Sequence, residues 1–278
     1  MARQLLATLL TDFGTREAYP AAIKGVILSM CPQAQVVDIS HDIPPFDIVS
    51  AAMVLGESAP YFPPGTVHVV VVDPGVGTDR RVLVGQFAGQ TYVFPDNGVI
   101  TAIAERGPAE ALVVVRNPDY LPLSPVSTTF HGRDVFAPIA GQLLNGLNLH
   151  RLGPQPETFR LLELPACQET EDEIVGQVIY VDSFGNLISN IPEDTVRGRW
   201  INLPAVRGTC GERDVGTLQA AYGFVDEGEP VVLFNSMGRV EVAINRGRAC
   251  DVLGAGFGTP VRLRARREAL PGGQETGE

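Results

Sequence analysis

The first 150 residues alternate between short apolar runs and longer amphipathic stretches, and this alternation constrains the fold more than any other feature. Strands are predicted at residues 5–10, 35–40 and 66–73, with helices between them at 19–30 and 49–62. Strands that are apolar nearly throughout are typical of a sheet that helices cover on both faces. We therefore expect residues 1–152 to form an α/β domain with a central, mostly parallel sheet covered by helices.

The sequence changes character after Leu152. Residues 153–173 contain three prolines and a run of acids, which predicts a linker. From residue 174 to residue 268, short apolar runs alternate with glycine turns and show almost no helical period. This pattern predicts a smaller, all-β, barrel-like domain. Residues 269–278 are predicted to be a disordered tail.

Charge, cysteines and hydropathy exclude several classes of partner and location. The net charge of −11, from 21 basic and 32 acidic residues, disfavours nucleic acid and anionic membranes but suits a cationic ligand. The four cysteines are widely separated and contain no CxxC pair, so we expect free thiols. No apolar run reaches the ~18 residues of a membrane helix, and the first residues do not resemble a signal peptide. These features predict a cytoplasmic protein.

Polar residues cluster where the predicted strands of the first domain end. They are Asp12, Asp38, His41, Asp42, Asp47, Asp73, Arg80, Arg81, His131, Arg133 and Asp134. A single aspartate at such a position is usually a turn former or a helix cap. Several of them at the carboxyl edge of one sheet, with histidines among them, predict a ligand site.

Two kinds of site fit these residue types. Aspartates and histidines can bind a divalent metal, as in phosphoesterases, although dense spacings such as HxH and HExxH are missing. The sequence also lacks a glycine-rich phosphate loop and a GxSxG nucleophile turn. The other kind is a metal-free site in which a carboxylate, a guanidinium and an imidazole activate a water molecule.

Seven motifs occur in one order between about residue 5 and residue 265. They are LLTDFG, VVDISHDIPPFD, VVVVDPGVGTDRR, FPDNG, TTFHGRDVFAP, VDSFGNLISNI and FNSMGRVEVAINRG. Together they resemble the S-adenosyl-L-methionine (SAM) hydroxide adenosyltransferases, which are adenosine-forming SAM hydrolases related to the fluorinases and chlorinases. The resemblance implies that water attacks C5′ of SAM and releases adenosine and L-methionine.

The resemblance also implies the catalytic residues. The family uses an Asp–Arg–His set to hold and deprotonate the water, and its members match Asp73, Arg80 and His131. Arg81 lies beside the matched arginine, but the register from Asp73 favours Arg80. Either Asp73 or His131 can accept the proton. The halogenating relatives lack this set, and the short FAGQTY turn leaves no room for their long insertion, so hydrolysis is expected.

Further residues are implied to bind the substrate. They are Asp12 for the ribose hydroxyls, Phe46 as an aromatic against the ligand, Asp182 and Glu17 for the methionine ammonium, Phe184, Asn186 and Tyr222 for the adenine, and Ser236 for the methionine carboxylate. Glu17 stands where relatives usually carry an aspartate. Met237 occupies a variable position and receives no role.

The family forms homotrimers whose sites lie between the first domain of one subunit and the second domain of its neighbour. The resemblance therefore implies a homotrimer that needs neither a metal nor another cofactor. Two alternatives remain: a metal-dependent Asp/His phosphoesterase and a non-catalytic adenosine- or SAM-binding protein. The second does not explain why Asp73, Arg80 and His131 occur together, since a binding protein needs no group that activates water.

Overall fold

The computed structural model describes residues 4–123 and 125–265 and divides the chain into two compact units, Met1–Leu162 and Glu163–Glu278. The boundary between the units falls inside the stretch predicted as a linker, residues 153–173. Part of this stretch belongs to the first unit, because the N–H of Val114 donates to Pro154 O (2.9 Å). The predicted tail at 269–278, and the last residues of the predicted second domain, lie outside the described residues.

The described residues of the first unit contain six strands and four α-helices. The strands are β1 (Leu6–Thr11), β2 (Gln35–Ser40), β3 (Val67–Val71), β4 (Val82–Phe87), β5 (Gln90–Pro95) and β6 (Ala111–Val114). The helices are α1 (Tyr19–Met30), α2 (Ile48–Ser58), α3 (Thr101–Ala104) and α4 (Ala137–Leu144). A π-helical turn, Gly132–Phe136, leads directly into α4. Helix α1 has the bounds that its sequence pattern predicts.

The sheet of the first unit has the order β2-β1-β3-β5-β4-β6. Strands β2, β1, β3 and β5 run parallel, whereas β4 is antiparallel to both of its neighbours. The prediction of a mostly parallel sheet is therefore corrected to a mixed sheet. The reason is the β4–β5 hairpin, in which Ala88 (φ 48°) and Gly89 (φ 72°) supply the two left-handed residues of a tight turn.

Helices cover both faces of this sheet, as the apolar strands predict. Along β3, Val69 and Val71 enter one core, which α1 and α4 complete. Val70 enters a second core on the opposite face, which α2 and α3 complete. Since successive side chains of a strand point to opposite faces, a run of valines fills both cores at once.

The second unit is built mainly of strands. They are β7 (Gln168–Glu169), β8 (Glu173–Val181), β9 (Leu187–Pro192), β10 (Val206–Cys210), β11 (Arg213–Thr217), β12 (Pro230–Phe234), β13 (Arg239–Ile244) and β14 (Pro260–Ala265). The main path has the order β11-β10-β14-β8-β9-β13-β12. A bridge between Leu218 and Val232 joins the residue after β11 to β12, so the sheet is nearly closed into a barrel.

Two short helices interrupt the domain that we predict to be all β: α5 (Glu193–Arg199) and α6 (Ala249–Leu253). The prediction is corrected, for the described residues, to a barrel-like sheet with two α-helices. They have seven and five residues, which is too short for a helical period to stand out in the sequence. None of the described helices has the length and apolar character that crossing a membrane requires.

Candidate active site

The register of the sheet brings two aspartates to one edge. Thr11, the last residue of β1, pairs with Val71, the last residue of β3. Asp12 and Asp73 therefore emerge side by side at the carboxyl edge, which is where ligands bind in open α/β sheets. Burial raises the pKa of Asp12, and the negative charge of Asp73 raises it further, while hydrogen bonds from backbone N–H groups oppose the shift.

A cavity of about 410 Å³ opens at this edge. Its lining combines carboxylates, one imidazole and aromatic rings: Asp12, Phe13, Tyr19, Pro45, Phe46, Val71, Asp73, Val76, Thr129, Phe130, His131 and Gly132. Four of the site residues that the sequence predicts are in this set, namely Asp12, Phe46, Asp73 and His131. Glu17 is not part of the lining and is exposed to solvent.

Asp73 and His131 are connected by Arg80. The Nε atom of Arg80 donates to Oδ1 and Oδ2 of Asp73 at 2.9 Å each, and its Nη2 also binds Oδ2. The same Nη2 lies 2.7 Å from Nδ1 of His131, although 51 residues separate the two in the chain. The carboxylate and the guanidinium are almost fully buried, so their charges stabilise each other away from water.

The neighbouring arginine has a different partner. Arg81 donates through Nε to Oδ2 of Asp96 (2.7 Å) and through Nη2 to the backbone oxygen of Thr158 (2.8 Å). Asp96 is buried and also accepts the N–H of Arg160 (2.7 Å). Arg81 therefore stabilises the fold, and Arg80 is the arginine that contacts Asp73 and His131.

His131 immediately precedes the π-helical turn Gly132–Phe136, a type of helix that often occurs at functional sites. Burial lowers the pKa of His131, and the positive charge of Arg80 lowers it further. The charges of Asp73 and Asp134 act in the opposite direction. The imidazole therefore stays neutral to a lower pH than a histidine in water.

Phe46 has an unusual backbone conformation. Its φ of 67° lies in the left-handed region, which disfavours side chains other than glycine. In this conformation its N–H donates to Oδ2 of Asp12 (2.9 Å) while 69% of the residue is exposed beside the cavity. Strain at an exposed aromatic residue that contacts a predicted binding group is typical of a functional site.

The sequence analysis missed three aromatic rings that form a cluster in the cavity. The Tyr19 ring lies 5.6 Å from that of Phe13 and 5.1 Å from that of Phe130. Phe13 directly follows Asp12, and Phe130 directly precedes His131. This adjacency to predicted site residues is the signal in the sequence that could have found two of the three.

Most of the other acidic and imidazole residues at the strand ends have structural partners. His41 binds Thr11 Oγ1 through Nδ1 (2.8 Å), and its Nε2 lies 3.1 Å from Oδ1 of Asp38. Asp47 accepts the N–H of Ser50 (2.9 Å) and caps α2. Asp134 pairs with Arg133. Among the described residues, no three His, Cys, Asp or Glu side chains form a group that could hold a metal ion.

In the second unit, one loop brings three predicted residues together. Between β8 and β9, Asp182 accepts the backbone N–H of Asn186 (2.8 Å) and its side-chain Nδ2 (3.0 Å). Gly185 takes a φ of 83° in this loop. The loop leaves Phe184 at its tip with 74% of the residue exposed. The loop, held by these hydrogen bonds, thus presents an aromatic face to solvent.

Tyr222 and Ser236 lie outside this loop. The hydroxyl of Tyr222 donates to Oε1 of buried Glu241 (2.8 Å), and about half of the tyrosine is exposed. Burial, this hydrogen bond and the charges of Glu241 and Asp182 all raise the pKa of Tyr222. Ser236 is exposed in the turn between β12 and β13, where Asn235 Oδ1 accepts the N–H of Met237 (3.0 Å).

Comparison with family models covers most of the chain. Residues 7–153 match the SAM hydroxide adenosyltransferase N-terminal domain, and residues 176–262 match the C-terminal domain of the same family.

Curated relatives match over nearly their whole length. The chain is 40% identical over 260 residues to the (R)-S-adenosyl-L-methionine hydrolase of Thermus thermophilus, covering 91% of this chain and 97% of the relative. It is 38% identical to the protein of the same name from Salinispora tropica, covering 92% of this chain and 96% of the relative. A fluorinase from Actinopolyspora mzabensis is 27% identical, with 86% and 90% covered.

Solved structures agree with the fold. An uncharacterized conserved protein from Thermotoga maritima superposes with a TM-score of 0.85 at 35% identity, covering 93% of this chain and 99% of that one. A conserved hypothetical protein from Thermus thermophilus gives a TM-score of 0.74 at 39% identity, with 92% and 98% covered.

Proposed function

The chain belongs to the SAM hydroxide adenosyltransferase family, and on that basis we propose that it hydrolyses SAM to adenosine and L-methionine by attack of an activated water on C5′. The observation that carries the proposal is the Asp73–Arg80–His131 arrangement at the cavity that Asp12 also lines. A carboxylate and an imidazole, held beside a cavity by one guanidinium, can position and deprotonate a water molecule.

The chemistry suits this environment. The water oxygen forms a bond to C5′ while the C5′–S bond breaks and its electron pair moves to sulfur, which turns the sulfonium into a neutral thioether. The proton of the water passes to the Asp73–His131 set. Because positive charge on sulfur and negative charge on the nucleophile cancel, a cavity of low dielectric constant favours the transition state. Holding oxygen, carbon and sulfur in line contributes further.

The remaining residues are assigned to binding. We propose that Asp12 accepts both ribose hydroxyls, that Phe46 packs on the ligand, and that Glu17 and Asp182 contact the methionine ammonium. Phe184, Asn186 and Tyr222 would bind the adenine and Ser236 the methionine carboxylate. Following the family resemblance, we also propose a homotrimer in which neighbouring subunits complete each site.

The sulfur of SAM is a stereocentre, and the curated relatives are named for the (R) epimer. We propose that this chain also consumes the (R) epimer. An in-line attack fixes the direction of the C5′–S bond. In the opposite epimer, the methyl group and the amino acid chain on sulfur would therefore exchange positions. Chromatography of a mixture of both epimers should show that (R)-SAM disappears first, and preferential loss of (S)-SAM would contradict this assignment.

We propose that the reaction needs no metal. Both oxygens of Asp73 bind Arg80, so the guanidinium already supplies the positive charge that a metal would bring to this carboxylate. Turnover of SAM should be unchanged after dialysis against EDTA. Loss of activity that a divalent metal restores would favour the phosphoesterase alternative instead. The four free cysteines suit a reducing compartment, and we propose a cytoplasmic location.

Adjacent arginines provide a matched test of the site. Arg80→Lys should lower kcat by about 10²-fold, because an ammonium cannot reproduce the planar fork that aligns Asp73 with His131. Arg81→Lys should leave kcat within a few-fold of the parent, because Arg81 contacts Asp96 instead. Adenosine and methionine formed from purified SAM are the readout. Equal effects of the two substitutions would remove Arg80 from the site.

A further inference from the structure

The contact between Arg80 and His131 determines where the imidazole carries its proton. A guanidinium has only N–H donors and no acceptor. Since Nη2 of Arg80 lies 2.7 Å from Nδ1 of His131, Nδ1 must accept this hydrogen bond. A ring that accepts through Nδ1 is neutral and carries its hydrogen on Nε2. His131 therefore offers the cavity a donor, Nε2–H, and has no free nitrogen lone pair.

We propose that His131 donates a hydrogen bond from Nε2 to the attacking oxygen and that Asp73 accepts the proton of the water. Arg80 is then a positioning residue, because it contacts both groups without lining the cavity. This assignment rests on the proposed hydrolysis of SAM. It assigns a separate role to each of the three residues, and the family resemblance leaves these roles open.

The charges around His131 agree with this division. The groups that face it are Arg80, Asp73 and Asp134, and a second positive charge beside the guanidinium is unfavourable. Burial and the Arg80 charge lower the pKa of His131, which keeps the ring neutral. Each carboxylate oxygen can accept two hydrogen bonds, and Oδ1 of Asp73 accepts one from Nε of Arg80, so Oδ1 retains a lone pair for the proton of the water.

Atoms and electrons balance in this step. One lone pair of the water oxygen forms the C5′–O bond, and the other accepts the hydrogen bond from His131. One proton of the water moves to Asp73, and the other remains as the 5′-hydroxyl hydrogen of adenosine. The electron pair of the C5′–S bond stays on the methionine sulfur. The donor from His131 orients the oxygen toward C5′ and stabilises the hydroxide-like charge that the oxygen carries while its proton leaves; this charge disappears as the C5′–O bond forms.

Nitrogen NMR tests the tautomer directly in the intact protein. The chain contains four histidines, so the His131 signals can be assigned by comparing the spectra of the parent and of His131→Gln. At neutral pH, we expect a protonated Nε2 and an unprotonated Nδ1. A protonated Nδ1, or a ring with both nitrogens protonated, would overturn the proposal whether or not SAM is hydrolysed.

Three variants test the roles in catalysis. In His131→Gln the amide oxygen can accept from Arg80 while the amide nitrogen donates to the water, so this variant should keep at least about tenfold more activity than His131→Ala. Asp73→Asn removes the acceptor and should lower kcat by about 10²–10⁴-fold. Full activity of Asp73→Asn would refute the assigned acceptor. A parent enzyme that leaves SAM intact would instead refute the hydrolysis, and the NMR result would still stand.

Discussion

At the scale of single residues, Phe46 shows a conflict between stability and binding. Its left-handed backbone costs about 1–2 kcal/mol relative to glycine, and its exposed ring recovers little of that by burial. The same conformation directs the N–H of Phe46 to Asp12. We infer that the strain is retained because the aromatic ring serves the ligand.

Replacing this residue should separate the two effects. Phe46→Gly should raise the free energy of unfolding by about 0.5–1 kcal/mol, because relief of strain exceeds the entropy that glycine adds to the unfolded chain. The same variant should bind SAM more weakly. Urea denaturation and titration calorimetry measure the two quantities.

Ala88→Gly provides the control for this prediction. Ala88 has a φ of 48° in the β4–β5 turn and does not line the cavity. In the Ala88→Gly variant the free energy of unfolding should rise to a similar extent, and the affinity for SAM should be unchanged. If Phe46→Gly bound SAM as tightly as the parent does, Phe46 would have no part in the site.

Local sequence could identify some site residues and not others. Asp12 and Asp73 could be predicted because each follows a strand whose apolar run is visible in the sequence. Tyr19 could not, because it approaches Phe13 and Phe130 only after α1 folds against the sheet edge. The contact of Arg80 with His131 likewise depends on tertiary structure, and only the family resemblance predicted that they act together.

At the scale of elements, the loop of residues 73–80 approaches the segment before His131 closely. A Cβ on Gly77 would lie 2.3 Å from the backbone oxygen of Thr128, so close that the backbone would have to shift. Gly77 also has a φ of 79°. The close approach is the means by which a loop after β3 brings Arg80 to the start of the π-helical turn Gly132–Phe136.

Gly77→Ala should therefore separate the loop from Thr128 and lower kcat by about 10²-fold, the cost of misplacing reacting groups by about 1 Å. Gly216→Ala is the matched control, since Gly216 has a φ of 80° and open space around its would-be Cβ. Both variants incur the same backbone strain, but only the first should lose activity. Equal kcat values in a SAM turnover assay would contradict the proposed role of the approach.

A buried histidine in the central sheet predicts how stability depends on pH. His68 of β3 binds Thr8 Oγ1 of β1 through Nδ1 (2.7 Å), and burial lowers its pKa to about 4. Between about pH 6.5 and pH 4 the unfolded chain binds a proton that the folded chain does not. The free energy of unfolding should therefore fall on acidification across this window, by roughly 3 kcal/mol from this residue alone.

Urea denaturation at pH 7 and pH 4.5 measures this dependence. His68→Gln cannot titrate, so it should lose about 2–3 kcal/mol less stability than the parent between the two pH values. His150→Gln, at an exposed position, should behave like the parent. Identical losses in the parent and in His68→Gln would show that His68 is not the group responsible.

The sequence predicts burial better than it predicts strand direction. The apolar run of β6 looks the same whether the strand runs parallel or antiparallel to its neighbour, so its antiparallel pairing with β4 could not be predicted from the sequence. In the second unit, α5 is stabilised by a Glu193–Arg197 pair and one buried residue, Val196. Such a short helix depends on tertiary packing rather than on periodicity.

At the scale of the whole molecule, the proposed trimer predicts complementation. Asp73→Ala and Asp182→Ala each disable one of the two units in every chain. If neighbouring subunits complete each site, mixed trimers contain some sites with both units intact. Activity should therefore reappear when the two inactive variants exchange subunits. Mass spectrometry can confirm the exchange, and complete inactivity after it would indicate sites formed within one chain.

The central claim is that water attacks C5′ of SAM at the Asp73–Arg80–His131 site. Turnover in ¹⁸O-labelled water tests it most directly, because only this route places the new oxygen on the adenosyl fragment. Mass spectrometry should find one ¹⁸O atom in the 5′-hydroxyl of adenosine and none in methionine, and Asp73→Ala should slow its appearance by about 10²–10⁴-fold. Unlabelled adenosine, or methylthioadenosine as the main product, would contradict the mechanism.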